Sequence, residues 1–263
     1  MNILQNIIDY KKLELKQSKT QIGFAELEKS ELFLKPTISL RKSLLDKTKT
    51  GIIAEFKRKS PSKGIINNEA DVNEVTAAYT EFGASCLSVL TDEYFFGGCN
   101  NDLKVARKNS IPILRKDFII DEYQIIESKA IGADVILLIA ACLTKNEIKK
   151  FAAFAKNIGV QVLLEIHDES EFDHICDEIE FVGINNRNLK TFELDIDRSL
   201  RMAEKIPNNK LKIAESGIKT VQDVLMFKKN GFDGFLIGEK FMQEKQTGIA
   251  FKDFVRELKI MQQ

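Results

Sequence analysis

The chain has 263 residues, 44% hydrophobic and 30% charged, with 39 basic residues against 39 acidic ones. A net charge of zero leaves no global field to draw nucleic acid or an anionic membrane surface, so any anion must be held by local groups. No apolar run reaches the length that spans a bilayer and the N-terminus lacks a signal-peptide core, which leaves a globular cytoplasmic protein with a sizeable core as the expectation.

Residues 1–48 read as helices without strands. Ile3, Leu4, Ile7 and Ile8 share one face, which Leu13 and Leu15 extend. Gly23 interrupts the pattern, the stretch 27–34 resumes it and Pro36 stops it; Ser39 can cap a short helix through Leu45. Leu32 and Phe33 fit equally a packing face or a site lining.

From Gly51 the period changes. Apolar runs of strand type occupy 52–56, 86–90, 111–114, 135–139, 160–164, 181–184, 211–214 and 232–237, and stretches of helical spacing lie between them. Glycines precede several strands, at Gly83, Gly132, Gly159 and Gly231, as expected where a helix ends in a left-handed residue. Strands that are almost wholly apolar imply burial on both faces, as in parallel sheets. No proline- or glycine-rich linker splits the series. The expectation is therefore one α/β domain over residues 1–263, a closed (β/α)8 TIM barrel with residues 1–48 as an N-terminal helical extension. A doubly wound open sheet is the runner-up, but it favours a glycine fingerprint after the first strand, where this chain is rich in lysine and serine.

Such a barrel demands that function collect at the carboxyl ends of its strands. Strand one ends in Glu55 and Lys57, two apart and so pointing the same way, and runs into the stiff polar turn Ser60-Pro61-Ser62-Lys63-Gly64. The third ends in Arg115-Lys116-Asp117-Phe118, the fifth in Glu165, the sixth in Asn185-Asn186-Arg187 and the seventh in Glu215-Ser216-Gly217. The eighth ends in Gly238-Glu239. Any one of these is an ordinary surface charge; together on one rim they pair or repel and shift each other's pKa values, as acid–base chemistry requires. Ser216 and Gly217 precede the helix after strand seven, and Gly238 and Glu239 open a short helix ahead of the final one. This is the usual place for phosphate in such barrels, although the Glu239 carboxylate must turn away from it. Cys86, Cys99, Cys142 and Cys176 lack CxxC spacing, so buried free thiols such as Cys86 and Cys142 are expected. His167 and His174 are too few for a histidine-rich metal site.

With these residues assembled, the chain resembles the indole-3-glycerol-phosphate synthase family. The segment from Glu55 to Gly64 is similar to that family's E-x-K-x-x-S-P-S signature. The likeness continues through Leu114-Arg115-Lys116-Asp117-Phe118, Leu163-Leu164-Glu165 and Gly183-Ile184-Asn185-Asn186-Arg187-Asn188-Leu189. It ends in Ala214-Glu215-Ser216-Gly217-Ile218 and Leu236-Ile237-Gly238. Lys59, where many relatives have a small residue, and Glu239, where some have serine, are the departures. The resemblance implies a lyase of tryptophan biosynthesis, a carboxy-lyase that needs no cofactor. It converts 1-(2-carboxyphenylamino)-1-deoxyribulose 5-phosphate into indole-3-glycerol phosphate, carbon dioxide and water.

It further implies that Lys116 protonates the ketone in condensation. Glu165 is then the partner acid/base for dehydration, with Glu55 and Lys57 supporting charge or sharing that proton work. The substrate carboxylate needs donors such as Lys57, Ser60, Asn185 or Arg187. Phe118 and Leu236 wall the aromatic ring, and Glu215 meets a sugar hydroxyl or orients a lysine. Ser216, Gly217, Gly238 and Glu239 take the phosphate, and the loop 58–68 closes over the bound molecule. The implied partner is a small phosphorylated substrate, with the chain a monomer or weak homodimer. Alternatives are a neighbouring phosphate-binding barrel, such as phosphoribosylanthranilate isomerase or the tryptophan synthase α chain, and a catalytically silent scaffold.

Overall fold

A computed structural model describes residues 3–188 and 193–262; Leu189 of the motif above lies outside them. Its principal strands are β1 (Ile52–Phe56), β2 (Cys86–Leu90), β3 (Ile113–Lys116), β4 (Val135–Ile139), β5 (Gln161–Ile166), β6 (Phe181–Asn185), β7 (Leu211–Glu215) and β8 (Gly234–Ile237). All pair in parallel, and they close in the order β1-β8-β7-β6-β5-β4-β3-β2. The expected (β/α)8 barrel is the observed fold. Helices connect consecutive strands, capped by Asp71, Asp121, Thr144, Asp195 and Thr220, whose side chains each accept a backbone N–H of the first turn. Gly83, Gly132, Gly159 and Gly231 are left-handed, as expected of residues that end a helix before a strand.

Some strand bounds differ from the apolar runs. β3 starts at Ile113 because Pro112 has no N–H for the ladder, although its carbonyl accepts from Leu87 N at 2.9 Å. β8 starts at Gly234, since Phe232 N is spent on Phe227 O of the preceding helix at 3.2 Å. At the other end β3, β5, β6 and β7 run on through Lys116, Glu165, Asn185 and Glu215. The charged residues therefore stand on the strands themselves, and barrel pairing fixes their backbones.

Two apolar layers result. Ile53, Cys86, Leu114, Val135, Leu163, Phe181 and Ile213 fill the barrel interior, while alternate residues such as Ile52, Leu87, Ile136 and Val182 pack outward against the helices. Each such side chain contributes roughly 1.5–3 kcal/mol by leaving water.

The N-terminal extension forms α1 (Ile3–Gln21), α2 (Phe24–Leu27), α3 (Glu31–Leu34) and α4 (Leu40–Leu45). It runs down the outside of the barrel from one rim to the other. Ser18 O and Ile22 O accept from Tyr123 Oη at 3.1 and 3.0 Å, Ser30 Oγ donates to Ala130 O, and Leu40 N donates to Gln161 Oε1. Phe33 packs on the helix Glu122–Ala130 with Lys129 Nζ 4.6 Å from its ring centre, so it is a packing residue. Leu40 and Leu44 join the barrel interior cluster and stopper its amino end. All four cysteines are free; Cys86 is buried, but Cys142 is only half-buried, because it sits past the end of β4. Among the described residues, no helix is long and apolar enough to cross a membrane.

Candidate active site

Alternation along the strands builds the site. Inside the barrel, Ile53 is followed two residues on by Glu55, Leu114 by Lys116, Leu163 by Glu165 and Ile213 by Glu215. The lower layer is apolar and the upper layer ionisable. Register sets the upper layer's neighbours, with Glu165 level with Gly183 and Asn185 level with Glu215. A cavity of about 200 Å³ opens above this layer, and all fourteen candidate residues line it, from Glu55, Lys57 and Ser60 round to Gly238 and Glu239.

Lys116 Nζ lies at the centre, 3.3 Å from Glu165 Oε2 and 3.5 Å from Glu215 Oε2. Burial alone would lower its pKa, but the charges of Glu165, Glu215 and Glu55 outweigh that and hold the ammonium above its usual range. Glu165 is buried as well, which would favour its neutral form. Lys116, His167 and the amide of Asn185, whose Nδ2 donates to Oε1 at 3.0 Å, hold it below the ordinary carboxylate range instead. Glu215 goes the other way. Burial and the charge of Glu165 push it up to about 8, Lys116 only partly offsetting them. Neither Glu215 oxygen accepts a hydrogen bond, and its own O–H, when protonated, is the group able to reach Glu165. The two carboxyls thus differ in charge because one has collected the donors and the other has not. Across the barrel Lys57 Nζ pairs with Glu55 Oε2 at 2.6 Å.

Two glycines make room for these acids. A Cβ on Gly183 would stand 2.1 Å from Glu215 Oε1, and one on Gly238 would stand 2.5 Å from Glu55 Oε2. At the mouth, Ser216 is the one described non-glycine residue with positive φ, at 67°, beside Gly217 at 75°. Such a backbone costs on the order of 1–3 kcal/mol. Asn186 holds it, donating from Nδ2 to Ser216 O at 2.6 Å and from its backbone to Glu215 O at 2.8 Å. The Glu239 side chain turns toward Lys63 and Arg187, at 3.5 and 3.8 Å.

The segment after β1 folds as a two-stranded hairpin, Lys59–Ser60 with Gly64–Ile65. Arg58 at its base forks onto both oxygens of Asp102, and Lys59 Nζ donates to Tyr94 O at 2.6 Å. Ser60 is brought to the cavity wall, its Oγ 3.5 Å from that of Ser62.

Sequence reasoning did not foresee five contributions. Ile3, Leu4 and Ile7 of α1 line the cavity, as does Phe96, whose ring lies 6.0 Å from that of Phe118. Lys11, one turn beyond Ile7, is 2% exposed with Glu14, Asp92 and Asp117 at 2.8, 3.0 and 2.9 Å. A lysine continuing an apolar helical face was the available signal. Asn186 and His167 are the others, the latter 3.0 Å from Glu165. Among the described residues, no group of three or more His, Cys, Asp or Glu side chains could hold a metal ion.

The chain matches the family described as Indole-3-glycerol phosphate synthase over residues 4–254. A protein of that name from Bacteroides thetaiotaomicron is 43% identical over 256 residues, 97% of this chain and 98% of the relative. Another, from Caldanaerobacter subterraneus subsp. tengcongensis, is 42% identical over 262 residues, 98% and 99% of the two chains. Among solved structures, a chain of the tryptophan synthase a2b2 complex from Pyrococcus furiosus superposes with a TM-score of 0.60 at 18% identity, over 80% of this chain and 98% of that one. Thiamine phosphate pyrophosphorylase from Pyrococcus furiosus gives 0.57 at 14% identity, over 84% and 99%. At these identities the two structures share the fold alone.

Proposed function

The chain belongs to the indole-3-glycerol phosphate synthase family, and from that premise we propose that it closes the indole ring in tryptophan biosynthesis as a carboxy-lyase. The substrate is 1-(2-carboxyphenylamino)-1-deoxyribulose 5-phosphate. The ring carbon bearing the carboxylate attacks the ketone carbon, and the ketone oxygen takes a proton. The carboxylate then leaves as carbon dioxide, returning its bonding pair to the ring. The new hydroxyl departs as water, taking up a proton while the adjacent carbon next to nitrogen gives one up to a base as the new double bond forms.

The observation that carries this reading is the Lys116 ammonium set between Glu165 and Glu215 on the floor of an apolar-walled cavity. Carbonyl attack needs a cationic acid at the oxygen, and the surrounding carboxylates keep Lys116 in that form. Glu165, held ionised, is the partner acid/base for dehydration, with the Glu55–Lys57 pair as the neighbouring couple that supports charge or shares the proton work. Glu215 orients Lys116 and, with neither oxygen yet accepting a hydrogen bond, meets a sugar hydroxyl. The substrate carboxylate is met by Lys57, Ser60, Asn185 and Arg187, and the anthranilate ring lies against Phe118 and Leu236. The phosphate rests on backbone groups of Ser216, Gly217, Gly238 and Glu239, and the glycines allow it to come close. The hairpin after β1 closes over the bound molecule, and substrate analogues should slow amide exchange within 58–68.

The test is a fluorescence assay for indole-3-glycerol phosphate with wild type, Lys116→Ala and Glu165→Gln. Folded wild type without turnover would overturn the reaction; unchanged turnover in both variants would overturn only the roles.

A further inference from the structure

The Glu165 carboxylate has a second cationic neighbour that the mechanism above does not use. His167 follows it by two residues, at the end of β5 and on the same side of the strand, is 7% exposed and does not line the cavity. Its Nε2 stands 3.0 Å from Glu165 Oε1, and its Nδ1 stands 3.6 Å from Glu171 Oε2. Both contacts are too oblique or too long for an aligned hydrogen bond, so the ring has two carboxylates and no other partner for its buried nitrogens. A histidine present only for packing would leave both buried ring nitrogens stranded without a hydrogen-bond partner, which folding disfavours. Glu171 is fixed in turn, accepting His167 N at 2.6 Å, while its own backbone N donates to Asp168 O.

We propose that His167 is a positioning residue for the reaction: the file Glu171–His167–Glu165 sets the charge and orientation of the Glu165 carboxylate that faces Lys116. The inference rests on Glu165 being an acid/base group of this cavity. The oxygens of Glu165 are divided, Oε1 to His167 and Asn185 and Oε2 to Lys116, so the ring and the ammonium grip opposite ends of one carboxylate. The charged and titratable groups around the ring are known. Glu165 and Glu171 flank it, and Asp168 follows it in the chain. Lys116 and Glu215 lie beyond Glu165, and Arg198 donates to Asn185 O from the helix Ile196–Lys205. The Cys142 thiol is pushed up to about 12 by burial and by Glu165 and Glu171, and so stays neutral. Burial alone would make the imidazole neutral; the two adjoining carboxylates outweigh it and raise His167 to about 9, cationic at neutral pH.

The test has one arm without substrate and one with it. In the first, imidazole nitrogen shifts are followed by NMR against pH; the chain has only two histidines, so His174→Asn assigns the signal. His167 is expected to titrate well above the ordinary histidine range, and Glu165→Gln to lower its pKa by a unit or more; an ordinary value in both proteins overturns the proposal whatever the reaction. In the second arm, His167→Asn (or His167→Gln if that variant does not fold) is assayed for turnover across pH. Without the imidazolium, Glu165 accepts a proton more readily, so the acid limb of kcat should move to higher pH by about one unit, with KM little changed. Combined with Glu165→Gln, the substitution should change kcat by less than about threefold. An unmoved acid limb, or fully additive losses in the double variant, overturns it. Failure of folded wild type to turn over is separate, since it strikes the reaction and leaves the NMR arm to judge the contact.

Discussion

Arg115 and Lys116 are consecutive on β3 and point to opposite sides of the barrel wall, each into a cluster of buried acids. Arg115 faces outward. Its guanidinium reaches Thr91, Ser128, Asn100, the Gln124 carbonyl, Asp117 and Glu127, at 2.8–3.3 Å. Asp117 completes that cluster with Thr91 Oγ1 at 2.6 Å and Lys11 Nζ at 2.9 Å. Lys116 faces inward and has looser company: its acids stand at 3.3 and 3.5 Å, and Glu215 accepts nothing. Around Arg115 and Asp117 the hydrogen bonds are taken up, with only Asp92 Oδ2 on the far side of Lys11 accepting none, and a new ligand would have to displace something. The Lys116 cluster leaves donors and acceptors unspent for a substrate to complete. Burial and charge content are alike, so neither marks a catalytic site by itself; incomplete hydrogen bonding distinguishes them.

The contrast can be broken at either cluster. Lys116→Ala should lower kcat by about a thousandfold or more, measured by product fluorescence and calorimetry on one sample. Its stability loss should be smaller than that of Arg115→Met, because Glu215 can stay protonated and the open cavity admits water to Glu165. Arg115→Met should do the reverse. It removes the cation between Asp117 and Glu127 and leaves Asp117 only Lys11 and Thr91. It should cost about 3–5 kcal/mol in urea unfolding, with a far smaller loss of kcat per folded molecule than Lys116→Ala. If Arg115→Met unfolds no more easily than wild type, the outer cluster is not structural.

Glu215→Gln sharpens the contrast through pH. The Glu215 carboxyl is raised in the folded state, so its ionisation opposes folding increasingly as pH rises from the unfolded value near 4.5 toward about 8. The glutamine variant should therefore gain stability over wild type across that window, by up to a few kcal/mol at pH 8, while losing activity; an advantage independent of pH would refute the raised value. Asp117 has the opposite sign. Burial would raise it, but Lys11, Arg115 and Thr91 hold it at about 2, so it stabilises above its unfolded value near 3.8, and that is lost as pH falls through 2. Asp117→Asn should flatten the acid limb of the stability curve by about 2 kcal/mol, read from denaturation midpoints between pH 5 and 2.

Much of the inner cluster was legible because alternation is a local property. Ile53 with Glu55, Leu114 with Lys116 and Leu163 with Glu165 each announce an inward-facing pair, apolar below and charged above, once the strand is known. The outer cluster was not legible. Lys11 continues the apolar face of α1, which hints at burial, but its partners stay hidden until the extension folds over the rim and brings it to Asp92 and Asp117, 81 and 106 positions away in the chain. His167 and Asn186 escaped for another reason: each acts on a neighbour rather than on the cavity, and no spacing rule reports what a side chain does to the residue beside it. The bounds of β3 erred where Pro112 withholds an N–H, and Ile111 remained an apolar residue outside the ladder.

The hollows above Gly183 and Gly238 bear on how this enzyme would look in a mutational survey. Such surveys read alanine as subtraction, yet at these two positions alanine is an addition, one methyl placed where Glu215 or Glu55 keeps its carboxylate. Residues with no side chain to lose would score among the most sensitive in the chain, and a survey blind to geometry would credit them with chemistry. What they supply is room that the two carboxylates fill, as definite a part of the site as any ammonium.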